Sequence, residues 1–431
     1  MTALLRTESF NRLSKEVFWV VLGQGMAVLG SLVGIRILTG MLDPSAYGEI
    51  ALGMTAVAFV NRTVFGSLSD GASRFYSPAA EGKDLGGYLN AIRLFALWAT
   101  GIVVLLIPLV IGGLFVTARA EWVAFAIVAI VFIILNGNNS ILSEIQNAAR
   151  HRFVVAFHQG MESWVIFLAA AGLIVLFGAS STMVMAGYVV GAMVVLGSQY
   201  VFFRKTISVQ ATKVDCGRDW VREIWNYSWP FLTWGIFTVV HSVSGRWALG
   251  IFSTTKDVGM YAVLYQLGHY PMAIFIGIVT QFLAPIFYQR TGDASDSRRS
   301  TDVIKLSWRL AAITLGVMGA AFVISFLFHS QIYNIFAAKQ YASVSHLLPW
   351  IMFASGVLAA GEILTLNLKS QMKTKTMARS EIILALLGIG LNFTGAYSYG
   401  ITGIAVASVV FSTIYFLWML SLSKLLYLKA S

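Results

Sequence analysis

Three arginines stand inside otherwise apolar runs: Arg36, Arg62 and Arg246. A guanidinium stays charged and can donate two parallel hydrogen bonds to a phosphate or carboxylate. A charge near the centre of a bilayer costs about 2.5–3.5 kcal/mol on insertion scales, so it faces a bundle interior, water or a partner. At 1.5 Å per helical residue, Arg36 lies about 28 Å beyond the inner start of its run, toward the outer end. Arg246 falls at the equivalent depth of a later run, and Arg62 in the inner half of the run after Arg36. The acids read as lying within runs are Glu144, Glu162, Glu362 and Glu381, all toward the inner side. Arg62 thus has Glu362 or Glu144 as a pairing partner, while Arg36 and Arg246 are read as having no acid at their level. One reading makes the three arginines an anion path along a cavity. The other makes Arg36 and Arg246 snorkelling side chains and Arg62 a structural ion pair. Arg93 reads as a snorkelling anchor.

Neutral polar groups in the same runs are Gln24, Asn61, Asn136, Asn138, Asn139, His241, Gln266, His269 and Gln281. Such groups either meet a polar cargo or join helices by hydrogen bonds. The asparagines at 136, 138 and 139 cover more than one helix face. Asn138 and His241 join Arg36, Arg62 and Arg246 as candidate substrate contacts, and Glu144 and Glu362 as a coupling site or structural ion pair. No His, Ser and Asp are placed as a triad, and His-Glu-x-x-His and Walker A spacings are absent. Cys216 is the only cysteine, so an intrachain disulfide and a cysteine metal site are excluded. No catalytic residue, metal or cofactor is expected.

The elements that must position these residues are membrane helices. Of 431 residues 58% are hydrophobic and 11% charged, with mean hydropathy +0.76; a soluble domain carries about 25% charge. Twelve spans are predicted, at roughly 17–41, 48–70, 86–114, 121–147, 153–178, 182–203, 227–252, 258–287, 303–328, 344–368, 380–398 and 401–423. The first is longer than a signal-peptide core and is followed by no small-residue cleavage pattern. The net charge of +11 does not point to nucleic acid, because Lys and Arg concentrate in alternate links. Only Arg119, Lys256 and Lys339 fall in the opposite set, which predicts both termini in the cytoplasm.

The long polar link 204–226 divides the chain into an N-terminal six-helix bundle, 1–203, and a C-terminal one, 227–431. The halves echo each other. Arg246 falls where Arg36 falls, and Gly259 follows the one as Gly48 follows the other. Phe287-Tyr288 answers Phe75-Tyr76, and Met372-Lys373-Thr374-Lys375 answers Ala149-Arg150-His151-Arg152. Parallel repeats of this kind put a transport path at their interface. The fold expected is all-α, two six-helix bundles about a pseudo-twofold.

Arg36, Leu38, Thr39, Leu42, Pro44, Tyr47 and Gly48 stand in a pattern that resembles the first hairpin of bacterial polysaccharide flippases. Those belong to the multidrug/oligosaccharidyl-lipid/polysaccharide exporter superfamily. The resemblance implies a flippase that moves a lipid-linked saccharide, joined through a phosphate or diphosphate, to the outer leaflet of the bacterial inner membrane. Membrane lipids and polysaccharide assembly proteins are the implied partners. The same hairpin also reads as a tight turn between two packed helices.

Three alternatives stand beside it. A drug exporter of the same superfamily would favour an acidic cavity, yet residues 17–42 hold no acid. A major-facilitator transporter is suggested by Gly66-Ser67-Leu68-Ser69-Asp70 with Arg74, which lacks that family's later Gly and basic run. A polysaccharide polymerase or ligase would need a large outer loop, and the longest here, about 329–343, carries only Lys339.

Overall fold

The computed structural model describes residues 2–117, 119–207, 219–291, 297–371 and 374–430. Cys216, Lys213 and the Met372-Lys373 pair lie outside the described residues. A chain this apolar must satisfy its backbone groups internally, and helices do so within one segment. The described elements are helical: α1 (Thr2–Met41), α2 (Pro44–Val60), a π-helical turn (Asn61–Gly66), α3 (Ser67–Glu81), α4 (Leu85–Leu105) and α5 (Ile107–Val116). There follow α6 (Val123–Ala148), α7 (Arg152–Phe177), α8 (Ser181–Thr206), α9 (Trp220–Phe252), α10 (Thr255–Thr291), α11 (Ser297–Phe336), α12 (Leu348–Ser370) and α13 (Thr374–Ala430). Among the described residues, nine segments are long and apolar enough to cross a membrane. The protein is a multi-pass membrane protein.

The start of α2 follows from its sequence. Pro44 occupies the first helical position, where a missing N–H removes no helix bond. Asp43 Oδ1 accepts from the backbone N–H groups of Ser45 and Ala46, at 2.8 and 3.1 Å, and so caps the helix. Helix α13 runs through the expected link between the last two spans, with a break at Tyr399 and Gly400. Gly400 has φ +55°, a conformation that favours glycine. Helix α9 begins at Trp220, inside the stretch read as a polar link. The Trp220 ring is buried, and its Nε1–H donates to Asp84 Oδ2 at 2.6 Å.

The contacts divide the chain into two compact units: residues 1–42 with 53–239, and residues 43–52 with 240–431. In the first unit the longest packing seams run between α1 and α7, α7 and α8, and α6 and α8. Tyr88, fully buried, anchors α4 by donating its hydroxyl to the Ala72 carbonyl at 2.6 Å. In the second unit α12 is the buried hub, packed on α10, α11 and α13. Leu364, Leu368, Tyr415 and Met419 form part of its core, and the Thr365 and Tyr415 hydroxyls meet at 3.0 Å.

The first turn of α2 belongs to the second unit and lies directly on α10. A Cβ on Gly48 would sit 1.8 Å from the Thr255 carbonyl oxygen, and one on Gly259 would sit 1.9 Å from the Pro44 carbonyl oxygen. Only two glycines let these backbones touch. Tyr47 locks the crossing: its hydroxyl donates to Gln266 Oε1 at 2.7 Å, and its ring meets Tyr341 edge-on at 5.8 Å. The Pro-Tyr-Gly sequence of the hairpin therefore has a packing role.

Candidate functional site

Each unit gathers polar side chains inside the bundle. In the first, Gly137 on α6 is the key. A Cβ there would lie 2.4 Å from the Phe65 ring, so the bare backbone lets the ring of the π-helical turn sit against α6. Hydroxyls bond back along this stretch, Thr63 to the Phe59 carbonyl at 2.7 Å and Ser67 to the Thr63 carbonyl at 2.8 Å. The close approach brings Asn61 beside Asn136. Asn61 Nδ2 donates to Asn136 Oδ1 at 2.8 Å, and Asn136 Nδ2 donates to Glu162 Oε1 on α7 at 2.8 Å. Asn139 Nδ2 reaches Glu162 Oε2 at 3.5 Å. Two amide oxygens of this group, Asn61 Oδ1 and Asn139 Oδ1, are buried with no hydrogen-bond partner.

The other expected residues of this unit lie apart from that network. Asn138 turns to α4, donating to Thr100 Oγ1 at 3.2 Å, and to its own helix at the Ile134 carbonyl. Glu144 accepts from Asn147 at 3.4 Å, and Arg152 donates to the same Asn147. Arg62 is exposed, and its guanidinium lies along the surface that Gly66 leaves clear. Arg36 on α1 and Arg93 on α4 are also exposed. Two further acids, Glu49 in the second turn of α2 and Asp70 in the first turn of α3, belong to the second predicted span.

In the second unit α9, α10, α12 and α13 line a small open cleft of about 70 Å³. His241, Tyr261, Tyr265, His269, Asn392 and Phe411 make much of its wall. Tyr261, Tyr265 and His269 recur every fourth residue, hence on one face of α10. Tyr265 stacks on His269 with centroids 4.6 Å apart, and His269 Nδ1 meets Ser355 Oγ at 3.1 Å. His241 packs on Phe411 at 4.1 Å in the space left by Gly388. Asn392 Nδ2 donates to Ser244 Oγ at 2.8 Å, and Ser244 donates to the His241 carbonyl. The guanidinium carbon of Arg246 stands 5.3 Å from the Tyr265 ring centroid, a cation–π contact on a wall residue. Of the expected contacts, His241 lines this cleft and Arg246 contacts Tyr265 of its wall. Glu362 on α12 is exposed between buried neighbours.

The rings, amides and hydroxyls that line the cleft offer faces that can stack on C–H surfaces and partners for hydroxyl hydrogen bonds. Tyr261, Tyr265 and Asn392 escaped notice in the sequence, though the fourfold spacing from Tyr261 to His269 was a usable signal.

Helix order and architecture define a membrane protein with the fold of the multidrug/oligosaccharidyl-lipid/polysaccharide exporter superfamily. A multidrug resistance MATE family transporter of that superfamily, in an inward-facing conformation, superposes with TM-score 0.75 at 13% identity, covering 95% of this chain and 96% of that one. The lipid II flippase MurJ, in an inward closed conformation, gives 0.66 at 15% identity, covering 96% and 88%. The Vibrio cholerae MATE transporter VcmN in its bent form gives 0.56 at 15%, covering 98% of each chain. The family described as "Polysaccharide biosynthesis protein" matches residues 13–290, more than half the sequence. The chain belongs to that family. No curated protein matches it.

Proposed function

We propose that this protein is a flippase that carries a lipid-linked oligosaccharide or polysaccharide precursor from the cytoplasmic to the outer leaflet of the bacterial inner membrane, by alternating access and without chemical change. The observation that carries the reading is the second-unit cleft, lined by hydroxyl, amide, imidazole and aromatic groups, with Arg246 over the ring of Tyr265. Family membership supplies the saccharide. In this reading His241 and Asn138 meet the sugar, and Arg36, Arg62 and Arg246 attract the phosphate or diphosphate. Glu144 and Glu362 keep the role of coupling or structural acids. Twelve spans, cytoplasmic termini, two six-helix bundles and association with polysaccharide assembly proteins belong to the same proposal.

Export of an organic cation is the second reading, favoured by the superposition on the multidrug transporter. Complementation of a saccharide-flippase-deficient strain separates the two, with protein abundance in the membrane measured in parallel. Restored surface polysaccharide, reduced by Arg246→Ala and by His241→Ala at unchanged abundance, supports the flippase. Raised drug resistance without restored polysaccharide rejects it.

A further inference from the structure

We infer that the seam between α11 and the C-terminal part of α13 is a groove for one anionic phospholipid, its phosphate held by Lys305, Arg309 and Lys424. The two helices meet where Trp308 Nε1–H donates to Ser423 Oγ at 2.9 Å. Tyr427 extends the contact, its ring centroid 5.3 Å from that of Trp308, and Lys305 Nζ stands 5.8 Å from the Tyr427 centroid. The segments therefore run antiparallel: Lys305 precedes Trp308, while Tyr427 follows Ser423. Successive residues turn by about 100° on a helix. Measured from the Trp308–Ser423 contact, that turn carries Lys305, Arg309, Lys424 and Tyr427 to one flank of the seam. The opposite flank is taken by α12. Ala311 and Met419 fall there, buried in a core with Leu364 and Leu368.

Lys305, Arg309 and Lys424 are all exposed. At 1.5 Å per residue they fall within about 6 Å of one another along the helix axes. Asp302, one turn before Lys305, is an exposed acid on the same flank, and it leaves the cluster with a net positive charge. Toward the middle of the membrane segment the flank turns apolar, with Ile313 and Leu417 exposed. That order matches a phospholipid laid lengthwise, its phosphate on the cations and its acyl chains on the apolar strip. A soluble anion would use only the first part and a neutral lipid only the second. Basic pockets between membrane helices collect anionic head groups in this way, and Trp and Tyr favour the same interfacial level. The groove rests on the membrane fold and is independent of the cargo.

The test uses the full chain in a nonionic detergent, with bound lipid counted by native mass spectrometry. Dioleoyl phosphatidylglycerol is compared with dioleoyl phosphatidylcholine, which has the same acyl chains and phosphate but no net charge. The charged lipid should bind about tenfold more tightly or better, and saturate one strong site. Lys305→Gln, Arg309→Gln and Lys424→Gln should each weaken it about fivefold, the worth of one cation beside anionic lipid. The triple variant should erase the preference, while Lys305→Arg, which keeps the charge, should retain it. A control that removes three cations elsewhere, Arg119→Gln with Lys256→Gln and Lys339→Gln, should also retain it. Unfolding midpoints of the lipid-free variants check that each is folded. Equal binding of the two lipids overturns the inference. So does a preference that survives the triple variant, or one that the control loses as fully. Displacement of the charged lipid by millimolar inorganic phosphate assigns a free-phosphate site instead. Tighter binding of a polyisoprenyl diphosphate, lost in the same triple variant, assigns the groove to the cargo. Either of these results overturns the inference as well.

Discussion

Gly137 sets how closely α6 approaches the π-helical turn. Its missing side chain admits Phe65, and that contact brings Asn61 to Asn136. Gly137→Ala puts a methyl group 2.4 Å from the ring, and either ring or helix must move. Overpacking of this kind costs about 1–3 kcal/mol. The expected result is a lower unfolding midpoint in detergent; an unchanged midpoint would show that α6 is held in place by other contacts. Arg246 offers the complementary case, because its guanidinium lies over a ring face. A cation–π contact contributes roughly 0.5–2 kcal/mol. Arg246→Lys keeps the charge and loses the planar stack, so it should retain part of the export that Arg246→Ala loses. Equal loss in both variants would mean that guanidinium geometry matters more than charge.

At the scale of elements, the crossing of α2 and α10 is the most constrained contact. Gly259→Val drives a branched side chain into the Pro44 carbonyl, where no rotamer relieves the clash. Export should fall far more than for Gly277→Val on the same helix, where the added atom meets open space. Equal effects in a transport assay normalised to abundance would refute the steric account. The turn that starts α2 was readable from Asp43, Pro44 and Gly48, because capping and helix-breaking are local chemistry. The partner of Gly48 was not readable, since Thr255 lies some 200 residues away. Trp220 shows a different failure. Arg222 and Glu223 make its surroundings read as a polar link, yet the indole is buried against Asp84. The polar network of the first unit was half visible. The asparagines stood out by type, but which of them would face Glu162 depended on Gly137, whose role appears only when Phe65 is placed beside it.

For the whole molecule, the alternating Lys and Arg distribution makes a prediction that the helices alone do not. Reporter fusions at residues 43 and 255 should read as outside, and those at 80, 212 and 373 as inside. A reversed or mixed pattern would reject the twelve-span topology. The ten residues 43–52 have a further consequence. They belong to the second unit while being threaded between two stretches of the first. The division of the chain between the units is therefore not sequential. A fragment ending near residue 210 would carry a structural part of the other unit, with Tyr47 and Gly48 deprived of Gln266 and Gly259. Such a fragment should fold poorly when made alone. Made together with residues 211–431, it should recover a matched surface and co-purify without a peptide bond between them.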